Sequence, residues 1–116
     1  MKKTKVFVYG ILQTGSGTPA TITGDLYQVA SFPGVVRVDK ELAGQVHGEI
    51  LEVTSRELFE FDIIEGVPHH YDRVETTAQT ADGPVKCYVY EYQLPVEGKT
   101  LILSGRWKDE YETLNG

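Results

Sequence analysis

Two acidic side chains, Asp62 and Glu65, have a spacing that suits acid–base chemistry. They stand three residues apart in the segment with the best helical pattern, so they lie on one face of the predicted helix. Leu58 and Phe61 share that face, so we expect it to be buried or to line a cleft. Apolar surroundings, a neighbouring carboxylate and a helix C-terminus each raise the pKa of a carboxyl group. Glu65 is therefore a candidate general acid–base group. The alternative is a solvated side chain at a frayed helix end.

The other reactive side chains favour no second mechanism. Of His47, His69 and His70, the adjacent pair seldom binds one ion, and no third ligand has suitable spacing, so no metal site is predicted. Cys87 lies in an apolar strand and is predicted to be a core residue rather than a nucleophile. The sequence has neither a G-x-S-x-G elbow nor a nucleotide P-loop, and no cofactor is expected.

A glycine-rich loop follows the first apolar segment. Residues 6–9 are strand formers, and Gly10, Gly15 and Gly17 come next. Glycines at such a place indicate that the backbone comes close to a ligand or to another part of the fold. Successive N–H groups of such a loop can bind a carboxylate or an oxyanion.

Three tyrosines alternate along a later strand. Tyr88, Tyr90 and Tyr92 lie on one face of it, and packing against the barrel is the favoured role for two of them. A buried tyrosine needs a hydrogen-bond partner, so one of the hydroxyls is expected to reach into a cavity.

Composition and charge narrow the class of protein. The 116 residues fit a single domain, and a net charge of −6 without a Lys/Arg cluster argues against nucleic-acid binding. The single cysteine excludes an internal disulfide and fits the cytoplasm. No apolar stretch approaches the length of a membrane span, and the basic start is interpreted as the beginning of a strand. We expect a cytoplasmic monomer or weak dimer.

The pattern along the chain predicts six or seven short strands and one definite helix. Thr54 and Glu57 form a capping box and Gly66 ends the helix, which spans residues 54–66. Strands this close in sequence favour an antiparallel or mixed sheet that closes into a small barrel. Strands are predicted over 5–9, 21–29, 35–38, 45–53, 71–77 and 85–92, with an apolar triplet at 101–103, a turn at 32–34, a hairpin turn at 81–83 and a weakly ordered charged tail.

Four blocks, in order over residues 5–107, resemble the γ-glutamylcyclotransferase-like family, which includes γ-glutamylamine cyclotransferases and AIG2-like proteins. Each block alone is weakly specific, and their order makes the resemblance fairly specific. The blocks are V-F-V-Y-G-I-L at 6–12; G-D-L-Y at 24–27 with F-P-G at 32–34; V-H-G-E-I at 46–50 with F-D-I-I-E-G at 61–66 and Y-D-R at 71–73; and V-K-C-Y-V-Y at 85–90.

The resemblance implies an α+β fold. Residues 1–116 would form one domain, a small β-barrel with a main helix and a central cavity. It implies that Glu65 is the general acid–base group. It also implies substrate binding by the loop that begins at Tyr9, and supporting roles for residues around Glu65. The candidate substrate-binding residues are Tyr9, Gly10, Ile11, Leu12 and Tyr90, and the supporting residues are Asp62, Tyr71 and Arg73.

The implied reaction is an intramolecular aminolysis of a γ-glutamyl amine or a related γ-acyl amine. The α-amine attacks the γ-carbonyl and releases 5-oxoproline and a free amine, without metal or cofactor. Ile11 stands where the family usually has Thr or Ser, and the loop after it is shorter. These departures favour an alternative, a non-catalytic protein that binds a small ligand. A third alternative is a structural protein whose loop contacts a partner chain.

Overall fold

The protein folds into a β-barrel with an α-helix on its outer wall. The computed structural model describes residues 2–37 and 44–107, which contain eight strands and the helix. Val38, the predicted end of a strand, and the charged tail fall outside the described residues. The elements are β1 (Thr4–Val8), β2 (Thr18–Thr23), β3 (Asp25–Gln28), β4 (Pro33–Val36), β5 (Gln45–Val53), α1 (Ser55–Glu65), β6 (Tyr71–Thr80), β7 (Gly83–Tyr92) and β8 (Thr100–Leu101).

Five of these strands close the barrel. The order around it is β1, β5, β2, β6 and β7, and β7 pairs back with β1. These neighbours are antiparallel except β7 and β1, which run parallel with Val6 opposite Tyr88 and Phe7 opposite Val89. The predicted mixed sheet that closes into a small barrel is confirmed. Closure satisfies backbone groups that an open sheet would leave at its edges.

The barrel interior is filled by apolar side chains. Phe7, Val46 and Val89 have no exposed surface and belong to one buried cluster with residues from all five barrel strands. Cys87 is part of this cluster, as expected of a core residue. Because the interior is packed, the cavity described below lies beside the barrel wall rather than at its centre.

A second buried cluster lies on the outer wall, under α1. It includes Val6, Val8 and Tyr90, and Leu58 and Phe61 of the helix pack against it. The predicted inward face of the helix is therefore confirmed. Three other large apolar residues of the helix, Phe59, Ile63 and Ile64, are exposed.

The strand predicted over residues 21–29 is broken at Gly24. β2 pairs with β5 in the barrel, whereas β3 leaves the barrel and pairs with β4 and β8. The two pairings need different strand directions, so the chain bends at Gly24, whose N–H donates to the carbonyl of Gly44. A local pattern does not reveal this change of partner.

Two further segments differ from the prediction. Pro33 and Gly34 begin β4 instead of forming a turn, and the turn lies earlier, where the N–H of Val29 donates to the carbonyl of Phe32. β4 then runs parallel to β7, with Val35 opposite Glu91. The hairpin of β6 and β7 is confirmed, but both strands extend further toward the turn than predicted.

The helix begins and ends where the sequence predicts. Thr54 and Glu57 form both hydrogen bonds of the capping box. Gly66 follows the last helical residue with φ 67°, and its N–H and that of Val67 donate to the last carbonyls of the helix. A residue with a Cβ would be strained in this left-handed conformation, so Gly66 fixes where Glu65 stands relative to the barrel.

Candidate active site

A cavity of about 230 Å³ lies where the end of α1 meets the outer barrel wall. The start of β4, the first residue of β6 and the last of β7 form its walls. Depressions of about 390 and 510 Å³ lie elsewhere on the surface, but neither is lined by Glu65. The cavity is lined by Ile11, Phe32, Pro33, Ile64, Glu65, Gly66, His70, Tyr71 and Tyr92.

Glu65, the last residue of α1, is a half-buried carboxyl group. Among the described residues, no side chain or backbone group donates a hydrogen bond to its carboxylate, and no Lys or Arg pairs with it. Burial alone raises the pKa of Glu65 to about 7, because water no longer solvates the charged form. The group therefore populates both protonation states near neutral pH, which a side chain that accepts and then donates a proton requires.

Asp62, one turn earlier on the same face, is held by two neighbours. Nε of Arg73 donates to Oδ1 of Asp62 at 2.9 Å, and Nη2 donates to Oδ2 at 3.2 Å. The hydroxyl of Tyr90 donates to Oδ1 at 2.7 Å. The guanidinium also lies 4.8 Å from the ring centre of Tyr88. This cluster attaches α1 to β6 and β7 and so positions Glu65.

The tyrosine face of β7 therefore packs under α1 rather than inside the barrel. Tyr92 is the tyrosine of this strand that lines the cavity, and its ring meets that of Tyr71 edge-on, with centres 5.4 Å apart. Tyr90 was expected at the substrate. Its hydroxyl is engaged by Asp62, and Tyr90 is not among the lining residues.

Tyr71 forms part of the floor beside Glu65. Its hydroxyl donates to the carbonyl of Pro33 at 2.5 Å, which ties β6 to the start of β4. Burial, followed by the nearby Glu65 carboxylate and Tyr92, raises the pKa of Tyr71 well above its ordinary value. The phenol stays protonated at neutral pH, so Tyr71 is a fixed part of the cavity floor and not an acid–base group.

The glycine-rich loop divides into two parts with different partners. The second part, from Thr14 to Gly17, wraps the carboxylate of Glu49 on β5. The N–H groups of Thr14, Gly15 and Gly17 donate to it at 2.5, 3.0 and 3.2 Å. Desolvation alone would raise the pKa of Glu49, but these donors together outweigh it and lower the pKa.

Sequence reasoning missed Glu49. The signal was available, because an acidic residue in the strand segment V-H-G-E-I sits between positions that must be buried. Glu49 is itself only 7% exposed. A buried carboxylate needs several donors, and a glycine-rich loop is a ready source of them. For residues 14–17, the expected close approach is to another part of the fold.

The first part of the loop, residues 10–13, contributes Ile11 to the cavity lining, whereas Gln13 lines a separate depression. The N–H of Gln13 donates to the carbonyl of Gly10 at 3.1 Å and closes a turn, and Ile11 lines the cavity. The N–H groups of Ile11 and Leu12 have no acceptor among residues 2–37 and 44–107. A Cβ on Gly10 would lie 2.6 Å from Cγ of Pro33, so glycine is what lets the turn lie against the cavity wall.

Tyr9 does not reach the cavity with its side chain. Its hydroxyl donates to the carbonyl of Tyr90 at 2.7 Å and accepts from the N–H of Val35 at 3.1 Å, within the buried core. Tyr9 therefore anchors β4 and β7 beneath the turn. Of the predicted site residues, Ile11, Glu65 and Tyr71 line the cavity. Asp62 lies one helical turn before Glu65, and Arg73 of β6 binds Asp62.

Within the part of the chain that the structure describes, no group of three or more His, Cys, Asp or Glu is arranged to hold a metal ion. His70 lines the cavity mouth by itself, and His69 is exposed beside it. In the same residues, no helix has the length and apolar character needed to cross a membrane.

Comparison with known proteins identifies the class that this fold and site define. A sequence model described as Gamma-glutamyl cyclotransferase, AIG2-like, matches residues 6–109. The chain belongs to this family. It is 36% identical to the gamma-glutamylcyclotransferase family protein YtfP of Citrobacter rodentium and 34% identical to that of Escherichia coli, in each case over 90% of this chain and 96% of the relative.

Solved structures agree with the fold. The solution structure of Escherichia coli YtfP superposes with a TM-score of 0.67 at 32% identity, over 91% of this chain and 97% of that one. A mouse AIG2-like protein superposes with a TM-score of 0.75 at 22% identity, over 92% of this chain and 89% of that one. The second likeness shows the fold alone.

Proposed function

We propose that this protein is a cyclotransferase that releases 5-oxoproline and a free amine from a γ-glutamyl amine or a related γ-acyl amine. One observation carries the proposal. Glu65, a half-buried carboxyl group with a pKa of about 7, shares a small cavity with Ile11, and the N–H groups of Ile11 and Leu12 have no acceptor among the described residues. Family membership supports a cyclotransferase activity in general terms.

In the proposed mechanism, the Glu65 carboxylate takes a proton from the α-ammonium group of the substrate. The freed α-amine attacks the γ-carbonyl carbon, and a new C–N bond closes the five-membered ring. The bond from that carbon to the leaving nitrogen then breaks as Glu65 gives its proton to this nitrogen. The ring nitrogen still carries a second extra proton, which the Glu65 carboxylate takes up and passes to the free amine, so the amine leaves as an ammonium ion. Atoms balance without water, metal or redox partner. The products are 5-oxoproline and the amine.

The chain's other residues prepare this step. The N–H groups of Ile11 and Leu12 are the candidate donors for the negative charge that develops on the γ-carbonyl oxygen. Asp62 and Arg73 hold the helix in place, and the small cavity keeps the substrate folded with its amine near its own carbonyl.

A cytoplasmic location and a monomer or weak dimer are part of this proposal. The single buried thiol of Cys87 is consistent with that location.

The experiment is a release assay with a panel of γ-glutamyl amines and dipeptides, with 5-oxoproline detected by mass spectrometry. Wild type and Glu60→Gln should release it equally, because Glu60 is exposed on the same helix outside the cavity. Glu65→Gln should lose about 10²- to 10⁴-fold, the usual contribution of a general acid–base group. Unchanged turnover by Glu65→Gln would show that Glu65 does not have this role.

A second candidate function is non-catalytic binding of a small ligand in the same cavity. The observation that favours it is Ile11, which offers the cavity an aliphatic side chain where the family usually has a hydroxyl. Folded protein that binds a γ-glutamyl amine and releases no 5-oxoproline would support this function over the first.

A further inference from the structure

The residues that line the Glu65 cavity differ in solvent exposure between its mouth and its floor. Tyr71 and Tyr92 are 6% and 8% exposed, so they form the floor. Ile11 and Ile64 also line the cavity but are 64% and 60% exposed, so they form the mouth. Two large aliphatic side chains held open to solvent on opposite elements, the turn and the helix, present apolar surface to whatever part of a ligand projects from the cavity.

The proposed reaction decides which half of the substrate projects. Glu65 takes its proton from the α-ammonium group, and the α-amine must lie against the γ-carbonyl, so the γ-glutamyl half lies folded beside Glu65 in the cavity. The amine half contributes only its nitrogen to the reaction. The rest of it then lies at the mouth, between Ile11 and Ile64.

The cavity lining has few charged side chains, which suits an uncharged group at the mouth. The lining residues, all from the described part of the chain, include no Lys, Arg or Asp, and Glu65 is the only carboxyl group among them. The carboxylate and ammonium of an amino acid at this position would gain no paired charge from these residues. An alkyl or arylalkyl chain would instead bury its surface on the two isoleucines.

We infer that the leaving amine is apolar, an alkylamine or arylalkylamine rather than an amino acid. The inference rests on the proposed function, since it assigns the substrate class of that site. The bond that breaks joins the γ-carbonyl carbon to the amine nitrogen, and the departing primary amine carries only its apolar chain.

The test is a series of γ-glutamyl methylamide, propylamide and pentylamide, with γ-glutamyl-ε-lysine and γ-glutamylglycine as charged counterparts. For wild type, kcat/KM for release of 5-oxoproline should rise about fourfold for each methylene that contacts the isoleucines, and the pentylamide should exceed both charged substrates. Ile64→Ser and Ile11→Ser should flatten this rise. Ile63→Ser is the matched control, because Ile63 is 64% exposed on the same helix and does not line the cavity.

Dissociation constants of the same series for Glu65→Gln separate this inference from the proposed function. A rise of affinity with chain length, lost in Ile64→Ser on the Glu65→Gln background, supports the apolar amine even if wild type releases no 5-oxoproline. In that case only the catalytic proposal fails. Three results would overturn the inference and leave the cyclotransferase proposal intact. They are release of 5-oxoproline that does not depend on chain length, a preference for γ-glutamyl-ε-lysine, and a loss in Ile63→Ser equal to that in Ile64→Ser.

Discussion

Asp62 and Glu65 share one face of α1, yet their carboxylates have opposite surroundings. Asp62 accepts three hydrogen bonds from Arg73 and Tyr90, and Glu65 accepts none from the described residues. The paired carboxylate fixes the helix on the barrel. The unpaired one keeps a raised pKa beside an apolar cavity. One helix face therefore carries a carboxylate that holds the structure together and a carboxylate that is available for proton transfer.

Glu65→Gln should stabilise the protein at high pH. The folded-state pKa of about 7 exceeds the ordinary value of 4.5, so folding favours the protonated form. Below pH about 4, Glu65 is protonated in both the folded and the unfolded state, and the variant gains no stability over the wild type. Between about 4.5 and 7 the unfolded chain ionises first and the wild type loses stability. Above pH about 7 the gain should reach roughly 2 to 3 kcal/mol.

Chemical denaturation of both proteins between pH 4 and 8 measures this difference. Glu60→Gln, an exposed change on the same helix, should show no such trend. A stability difference between wild type and Glu65→Gln that is independent of pH would mean that the carboxyl group is solvated.

Glu49→Gln should show the opposite pH dependence. The pKa of Glu49 is lowered in the folded state, so its contribution to stability is present above the unfolded pKa and is lost as pH falls through the folded pKa. At pH 7 we expect a loss of about 1 to 3 kcal/mol, because the amide replaces an oxygen acceptor with a donor facing other N–H groups. The loss should shrink below pH about 4.

Thermal unfolding of wild type and Glu49→Gln at pH 7 and at pH 3.5 measures this loss of stability. Glu52→Gln is the comparison, since Glu52 lies on the same strand and forms an exposed ion pair with Lys5. An equal loss at both pH values would indicate that Glu49 acts through shape and not through charge.

Asp62→Asn should loosen the helix from the barrel. It removes a bidentate pair with Arg73 that is about three-quarters buried, so we expect a loss of about 1 to 3 kcal/mol and weaker turnover through misplacement of Glu65. Tyr90→Phe removes one hydrogen bond to the same carboxylate and should cost about 1 kcal/mol.

A double-mutant cycle on these two changes measures their coupling. Strict additivity of the two losses would contradict a shared cluster, because groups in one hydrogen-bond network are expected to be non-additive.

The sequence predicted the local features well and the long-range contacts poorly. The ends of α1, the span of β5 and the hairpin of β6 and β7 depend on capping residues, alternation and turn residues, which are all local. Gly24 and Pro33 were misjudged, because whether the chain bends or pairs there depends on β5 and β7, far along the sequence.

In the candidate site, too, the local features were predictable from the sequence and the long-range contacts were not. The raised pKa of Glu65 follows from a helix face that the pattern reveals. The partners of Tyr9 and Tyr90 do not, since their hydroxyls meet groups 26 to 81 residues away. The carboxylate that the second part of the glycine-rich loop binds, Glu49, is 32 to 35 residues away, so a local pattern does not link the two.

The most direct test of Glu65 as the proton acceptor is the pH dependence of 5-oxoproline release from a γ-glutamyl alkylamide. If the Glu65 carboxylate takes the first proton, kcat/KM should fall about tenfold per pH unit below about 7. The same profile is expected in His70→Gln, which replaces the imidazole that lines the same cavity. Release should be almost absent in Glu65→Gln. A profile that moves with His70→Gln, or one that survives in Glu65→Gln, would contradict this role of Glu65.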